Sequence, residues 1–152
     1  TMRTAIVYYS AHHGNTRKLA EAVAQGREVT LIDALAVKSA GLSGYDLIGF
    51  ASGIYFGKFH QSVVEFAKNN LPRDKKVFFL ATYGGSNGTK AIEEAVREKD
   101  ARIVGSLGCK GYDTFGPFKL VGGIAKGHPD ETDLKNACQF LDGLLNAAQK
   151  EN

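Results

Sequence analysis

An open α/β sheet, doubly wound with helices on both faces, is the fold this sequence predicts. Three observations carry the prediction. Short apolar runs alternate with amphipathic stretches along the 152 residues. The runs are nearly continuous in apolar residues, as strands buried on both faces are. The length suits one ordinary domain, residues 1–152, with enough chain to bury a core.

The elements follow in order. Ala5-Ile6-Val7-Tyr8-Tyr9 is the first strand. From Asn15, Leu19, Ala22 and Val23 recur at helical spacing, and Gly26 offers a stop. Val29-Thr30-Leu31-Ile32 and Leu47-Ile48-Gly49-Phe50-Ala51 are the second and third strands. Val63, Phe66 and Ala67 mark a helix face, with His60 in its first turn and Pro72 just past its end. Val77-Phe78-Phe79-Leu80-Ala81 is the fourth strand, and Ile92, Ala95 and Val96 mark the next helix. Ile103-Val104-Gly105-Ser106-Leu107 is the fifth strand. Leu134, Ala137, Cys138, Leu141, Leu144, Leu145 and Ala148 form the apolar stripe of the last helix, with Asp130 as its N-cap. Strands separated by helices imply βαβ units with right-handed crossovers. Two connections are irregular. Residues 34–44 leave little room for a helix, and residues 110–129 form a long glycine-rich stretch of the kind that is functional in compact domains.

Composition excludes several classes. Apolar residues at 43% and charged residues at 23% argue against disorder. No apolar run approaches a membrane span. The start has no basic segment leading into a secretory apolar stretch, so a cytoplasmic protein is expected, with Thr1 preceding a natural start at Met2. Cys109 and Cys138 form no C-x-x-C pair and are expected to be reduced thiols. A net charge of +3 without a basic stripe or RNA-binding motif does not support nucleic-acid binding. The four histidines show no zinc-site spacing.

In an open parallel sheet, ligands bind at the carboxyl ends of the strands where the strand order reverses. The segment Ser10-Ala11-His12-His13-Gly14-Asn15-Thr16 lies there and opens a helix, whose unpaired N–H groups and dipole suit an anion. Ser10, Asn15 and Thr16 add neutral donors. Neither G-x-G-x-x-G nor G-K-[ST] is present in this segment. A phosphate monoester on a small cofactor and a plain helix cap by Asn15 or Ser10 both fit these residues. Tyr55, Phe56 and Tyr83 fall in loops at the same edge, where aromatics are placed to stack on a flat heterocycle or simply to roof the sheet. Gly53, Gly57, Gly84 and Gly85 let the backbone approach a ligand.

Tyr8-Tyr9-Ser10-Ala11-His12-His13-Gly14-Asn15-Thr16 resembles the phosphate loop of the flavodoxins, S/T-x-T-G-x-T after the first strand, and matches best in Gly14-Asn15-Thr16. Gly53-Ile54-Tyr55-Phe56-Gly57-Lys58 looks like the family's loop that stacks an aromatic on the flavin, and Thr82-Tyr83-Gly84-Gly85 falls where the second flavin loop belongs. The element order covers essentially the whole chain, and the length suits a short-chain member. The resemblance implies a flavodoxin-like, doubly wound five-stranded parallel sheet, strand order 2-1-3-4-5, with FMN at the switch point. It implies the phosphate in the Ser10 to Thr16 loop, His12 and His13 included. It places the ring between the loop of Gly53, Tyr55, Phe56, Gly57 and Lys58 and the loop of Thr82, Tyr83, Gly84 and Gly85.

The chain departs from the family at identifiable points. His12 and His13 replace the usual threonines. Flavodoxins are typically acidic, and this chain is basic. Lys58 follows Gly57 where an acidic or neutral residue is common. The stretch Lys110-Gly111-Tyr112-Asp113-Thr114-Phe115-Gly116-Pro117-Phe118 has no short-chain counterpart.

A rival reading is a serine esterase. Gly84-Gly85-Ser86-Asn87-Gly88 matches G-x-S-x-G, and Asp113 and His128 follow in triad order. The chain is short for that fold, Thr82 and Tyr83 separate strand from motif, and the Gly14-Asn15-Thr16 loop and Tyr55-Phe56 stay unexplained. The expected function is therefore an FMN flavoprotein that carries single electrons between partner proteins. The alternative is a small FMN-dependent reductase or dehydrogenase acting on a quinone or tetrapyrrole-like acceptor. The long 110–129 stretch favours the enzyme, and the absence of a nicotinamide-binding motif favours the carrier.

Overall fold

The computed structural model describes residues 2–10, 14–55, 57–83, 88–110 and 129–150. The elements run β1 (Thr4–Tyr9), α1 (Asn15–Ala24), β2 (Val29–Asp33), β3 (Leu47–Tyr55), β4 (Lys58–Phe59), α2 (Gln61–Asn70), β5 (Lys76–Tyr83), α3 (Lys90–Arg97), β6 (Arg102–Lys110) and α4 (Glu131–Lys150). The parallel strands lie in the order β2-β1-β3-β5-β6, and β4 pairs only with β3. Numbered without that short strand, this is the expected 2-1-3-4-5.

The apolar runs read as they do because the central strands are covered twice. Side chains alternate across a strand, so Ala5 and Val7 join one core while Ile6 joins the other. The first core sets Phe50 and Phe79 against Val63 and Phe66 of α2 and Ile92 and Val96 of α3. The second sets Ile6, Phe78 and Leu80 against Leu19 and Val23 of α1 and Ala137 and Leu141 of α4. Each large side chain so enclosed contributes about 1.5–3 kcal/mol relative to exposure.

Asp130 caps α4 as expected. Its Oδ1 accepts the Asp133 N–H at 2.9 Å, and its own N–H donates to Asp133 Oδ2 at 2.9 Å. This reciprocal pair satisfies two end groups at once, as a capping box does. Residues 34–44 hold no helix, also as expected.

Three expectations change. The strands run further than the apolar runs mark: β3 reaches Tyr55, β5 reaches Tyr83 and β6 takes in Cys109. Pairing continues through Gly53 with Thr82 and Thr82 with Cys109, because ladder bonds need backbone groups and not apolar side chains. Tyr55 and Tyr83 are therefore strand-end residues and not loop residues. The third strand also folds back. Ile54 pairs with Phe59 and Tyr55 with Lys58, making a hairpin closed by two residues, with Gly57 at φ 77°. Lys58 thus lies in a strand. Finally, His60 is the N-cap of α2 and not a first-turn residue: its Nδ1 accepts the Ser62 N–H at 3.1 Å.

Candidate functional site

The order reverses beside β1, whose chain connections lead to β2 on one side while β3 lies on the other. At the carboxyl ends of β1, β3 and β5, backbone and side chains build one continuous edge.

The first part is the start of α1. Ser10 leaves β1 half-buried, and its Oγ accepts the Arg17 N–H at 3.1 Å, tying the strand end to the first helical turn. Gly14 is the N-cap, at φ 66° and ψ 26°, and its carbonyl accepts the Lys18 N–H at 2.9 Å. Glycine occupies this left-handed conformation without the Cβ penalty. It brings no side chain of its own to cap the helix, the Ser10 hydroxyl takes up the Arg17 N–H, and the first turn holds no acidic residue. The positive end of the helix is left uncompensated, which favours an anion. Asn15 is the first helical residue and half-buried. His12 and His13 lie outside the described residues.

Thr16 is 2% exposed and its Oγ1 lies 2.8 Å from Thr82 Oγ1 near the end of β5. One hydroxyl of such a pair donates to the other, and the accepting one keeps its own proton for a third group. The pair thus fastens α1 to β5 and retains a neutral donor between them. Sequence reading picked both threonines and did not join them, since 66 residues separate them.

The hairpin forms the second part. Ser52 is fully buried; its Oγ donates to the Gly53 carbonyl at 2.7 Å and accepts the His60 N–H at 2.9 Å. It clamps the two feet of the hairpin together. The His60 ring stacks on Tyr9, with centroids 3.5 Å apart and planes 7° from parallel. Tyr55 meets both edge-on, at 5.9 Å from Tyr9 and 5.5 Å from His60. Its ring also lies over Gly53, where a Cβ would come 3.1 Å from the Tyr55 hydroxyl. Burial lowers the His60 pKa. Tyr9, Ser52 and His60 were missed from sequence. The only available signal was an aromatic at the very end of the first strand.

The hairpin tip reaches the third part, the entry to α3. A Cβ on Gly88 would sit 2.1 Å from the Gly57 carbonyl oxygen, so the two backbones touch only because residue 88 is glycine. Strand β4 packs against α3 in consequence. Gly57 and Lys58 are exposed, and Tyr83 is half-buried at the end of β5. Phe56, Gly84 and Gly85 lie outside the described residues, as do Ser86, Asp113 and His128 of the esterase reading. Cys109 closes the edge on β6. It is 5% exposed, and burial, then the Asp133 carboxylate, push its pKa up to about 11. Among the described residues, no group of three His, Cys, Asp or Glu could hold a metal ion. No described helix is long and apolar enough to cross a membrane.

A family model for the flavodoxin domain matches residues 6–112, most of the chain and every segment just described. The chain belongs to the flavodoxin family. A relative from Methanocaldococcus jannaschii, an uncharacterized protein, is 39% identical over 148 residues, covering 95% of this chain and 99% of its own. A flavodoxin from the domain Archaea superposes with a TM-score of 0.65 at 21% identity, covering 96% of this chain and 99% of that one. The WrbA-like flavodoxin of Agrobacterium tumefaciens superposes with a TM-score of 0.69 at 21% identity, over 100% of both chains. These two structures share the fold. FMN is the family's cofactor, and the edge suits it: a glycine-capped helix N-terminus with no acidic residue in its first turn, a neutral hydroxyl pair beside it, and an aromatic-bearing hairpin within reach of β5.

Proposed function

We propose that this protein is an FMN-dependent electron carrier that passes single electrons between partner proteins. The observation that carries the reading is the glycine-capped start of α1 beside the buried Thr16–Thr82 pair, an anion site made of neutral donors. When bound, the flavin supplies the electron chemistry, and the protein supplies binding and electrostatics.

The chain's own residues divide the work. Ser10, Gly14, Asn15, Thr16 and the helix N-terminus would hold the phosphate. Gly53, Tyr55, Gly57 and Lys58 would form one wall for the ring, and Thr82 and Tyr83 the other. Ser52 fixes the hairpin so that its tip peptide keeps one position toward the ring. Tyr9 and His60 support Tyr55 from behind and keep water away from it.

The decisive experiment is an absorbance spectrum of the purified protein followed by stepwise anaerobic reduction, with the cofactor then released by heat and weighed. A flavin spectrum, the mass of FMN and reduction in two separable one-electron steps are expected. Recovery of FAD, or apoprotein that ignores added FMN, overturns the cofactor. Rapid NADPH turnover with small acceptors overturns the carrier role and leaves a reductase.

A further inference from the structure

We propose that the hairpin edge docks a redox partner protein whose own docking face is rich in carboxylates. The inference rests on the carrier reading above and adds the chemistry of the partner. Lys58 follows the hairpin tip and Lys90 opens α3, so the two flank the contact between Gly57 and Gly88. Both side chains are exposed. Neither has an ion pair or hydrogen bond among the described residues.

Lys90 also stands where a cation is disfavoured, because the N-terminus of a helix is already positive. A residue that opposes its local field without an internal partner marks a functional position. The surrounding field has the same sign. Helices α1, α2 and α3 all begin at this edge, and the first turns of α1 and α2 hold no acidic residue. Two of the nearby carboxylates, Glu93 and Asp33, are engaged. Glu93 accepts from the Thr89 hydroxyl at 3.1 Å and pairs with Arg97 at 3.6 Å, and Asp33 accepts the Leu35 N–H at 2.9 Å. Among the described residues, Glu65 and Glu94 are exposed further along α2 and α3, and Glu131 lies beyond the edge strand β6.

The occupant is a protein and not a small anion. Gly57 and Lys58 form an exposed projection, where a small ligand gains little enclosure. Leu35 and Val37, 51% and 38% exposed, add apolar surface at the carboxyl end of β2 on the same edge. Apolar contact with charges steering the approach is the make-up of a transient protein interface.

The test uses the holoprotein and a fluorescent poly-glutamate peptide, followed by anisotropy. Lys58→Glu with Lys90→Glu is expected to weaken the peptide roughly tenfold. The same change at Lys68 and Lys99, near the far ends of α2 and α3, is expected to leave it unchanged. In stopped flow, oxidation of the reduced protein by ferricyanide should slow with added salt and slow in the Lys58/Lys90 variant. Oxidation by hexaamminecobalt(III) should respond in the opposite sense. Equal loss in both variant pairs, or no change in the Lys58/Lys90 pair, overturns the proposal. Lys58→Gln with Lys90→Gln provides the same comparison should the double reversal not fold. If the protein binds no FMN, the ferricyanide arm falls together with the carrier reading, while the peptide arm still decides the docking face.

Discussion

The two edges of one sheet treat charge in opposite ways. At the amino edge the charged groups close loops. Arg3 donates its backbone N–H to Asp46 at 2.9 Å, reaches the Gly44 carbonyl at 3.3 Å and lies 4.8 Å over the Tyr45 ring. Lys75 Nζ binds the Ser43 and Tyr45 carbonyls, both at 2.8 Å, and Arg73 pairs with Asp100. At the carboxyl edge Lys58 and Lys90 have no such partners among the described residues, and the contacts around the hairpin are neutral, with two hydroxyls, a serine clamp and a meeting of two glycines, while Lys18 and the Asp130–Asp133 pair hold the start of α4. Cations at the amino edge are spent on the fold, whereas Lys58 and Lys90 are exposed. Substitutions at the carboxyl edge should change ligand binding more than stability, and those at the amino edge the reverse.

Gly88→Ala should break this pattern most severely. The added Cβ meets backbone oxygen and has no flexible side chain to displace, so the hairpin must move. Overpacking of this kind costs about 1–3 kcal/mol. We expect FMN affinity to fall roughly tenfold or more, since each 1.4 kcal/mol is about a factor of ten. Titration of FMN into the apo variant reads it, and unchanged affinity would separate the hairpin from the ring.

Thr16→Ala comes next. It leaves the Thr82 hydroxyl buried without its partner, at about 1–3 kcal/mol of stability. It should also weaken FMN more than riboflavin, because a hydrogen bond to a charged phosphate is worth about 1.5–3 kcal/mol and riboflavin lacks the group. Equal losses for the two ligands would mean that Thr16 serves the fold alone. Arg27→Ala probes the other edge. Arg27 holds Asp142 through two bonds of 2.7 and 2.8 Å, with half of the Asp142 side chain exposed. Solvent screening limits the loss to about 0.5–1 kcal/mol in denaturant melts, with FMN affinity intact.

The smallest effect is a pH dependence. Burial holds His60 below the ordinary histidine value of 6.5, so the folded protein takes up this proton less readily than the unfolded chain. Its contribution is complete above pH 6.5 and is lost as pH falls from there through the folded value. Protonation also removes the Nδ1 acceptor that caps α2. His60→Asn keeps a capping acceptor and removes the titration. Its stability should therefore decline less than the parent's between about pH 7 and pH 5. Parallel declines would assign the dependence to other groups.

How legible this was depends on the range of the interaction. Apolar runs report burial on two faces, so the five parallel strands and the missing helix in residues 34–44 could be read directly. Asp130 was readable because a cap acts over one helical turn. The hairpin was not, since Lys58–Phe59 is too short to show an alternation. Nor were strand ends, where Ser52-Gly53 and Gly84-Gly85 look like turn sequence. Pairings such as Tyr9 with His60 and Thr16 with Thr82 exist only once the sheet has formed. The Gly14-Asn15-Thr16 pattern marked the start of α1 as a candidate phosphate loop, but nothing local marked the residues that brace it.

The thiol at the end of β6 has a consequence for the protein's working life. A flavin exposed to oxygen can generate peroxide, and peroxide attacks thiolates far faster than thiols. With its pKa pushed up to about 11, Cys109 is ionised in only about one molecule in ten thousand at neutral pH. The residue is also only 5% exposed. A cysteine in this position is therefore shielded from peroxide twice over, by burial and by its protonated state.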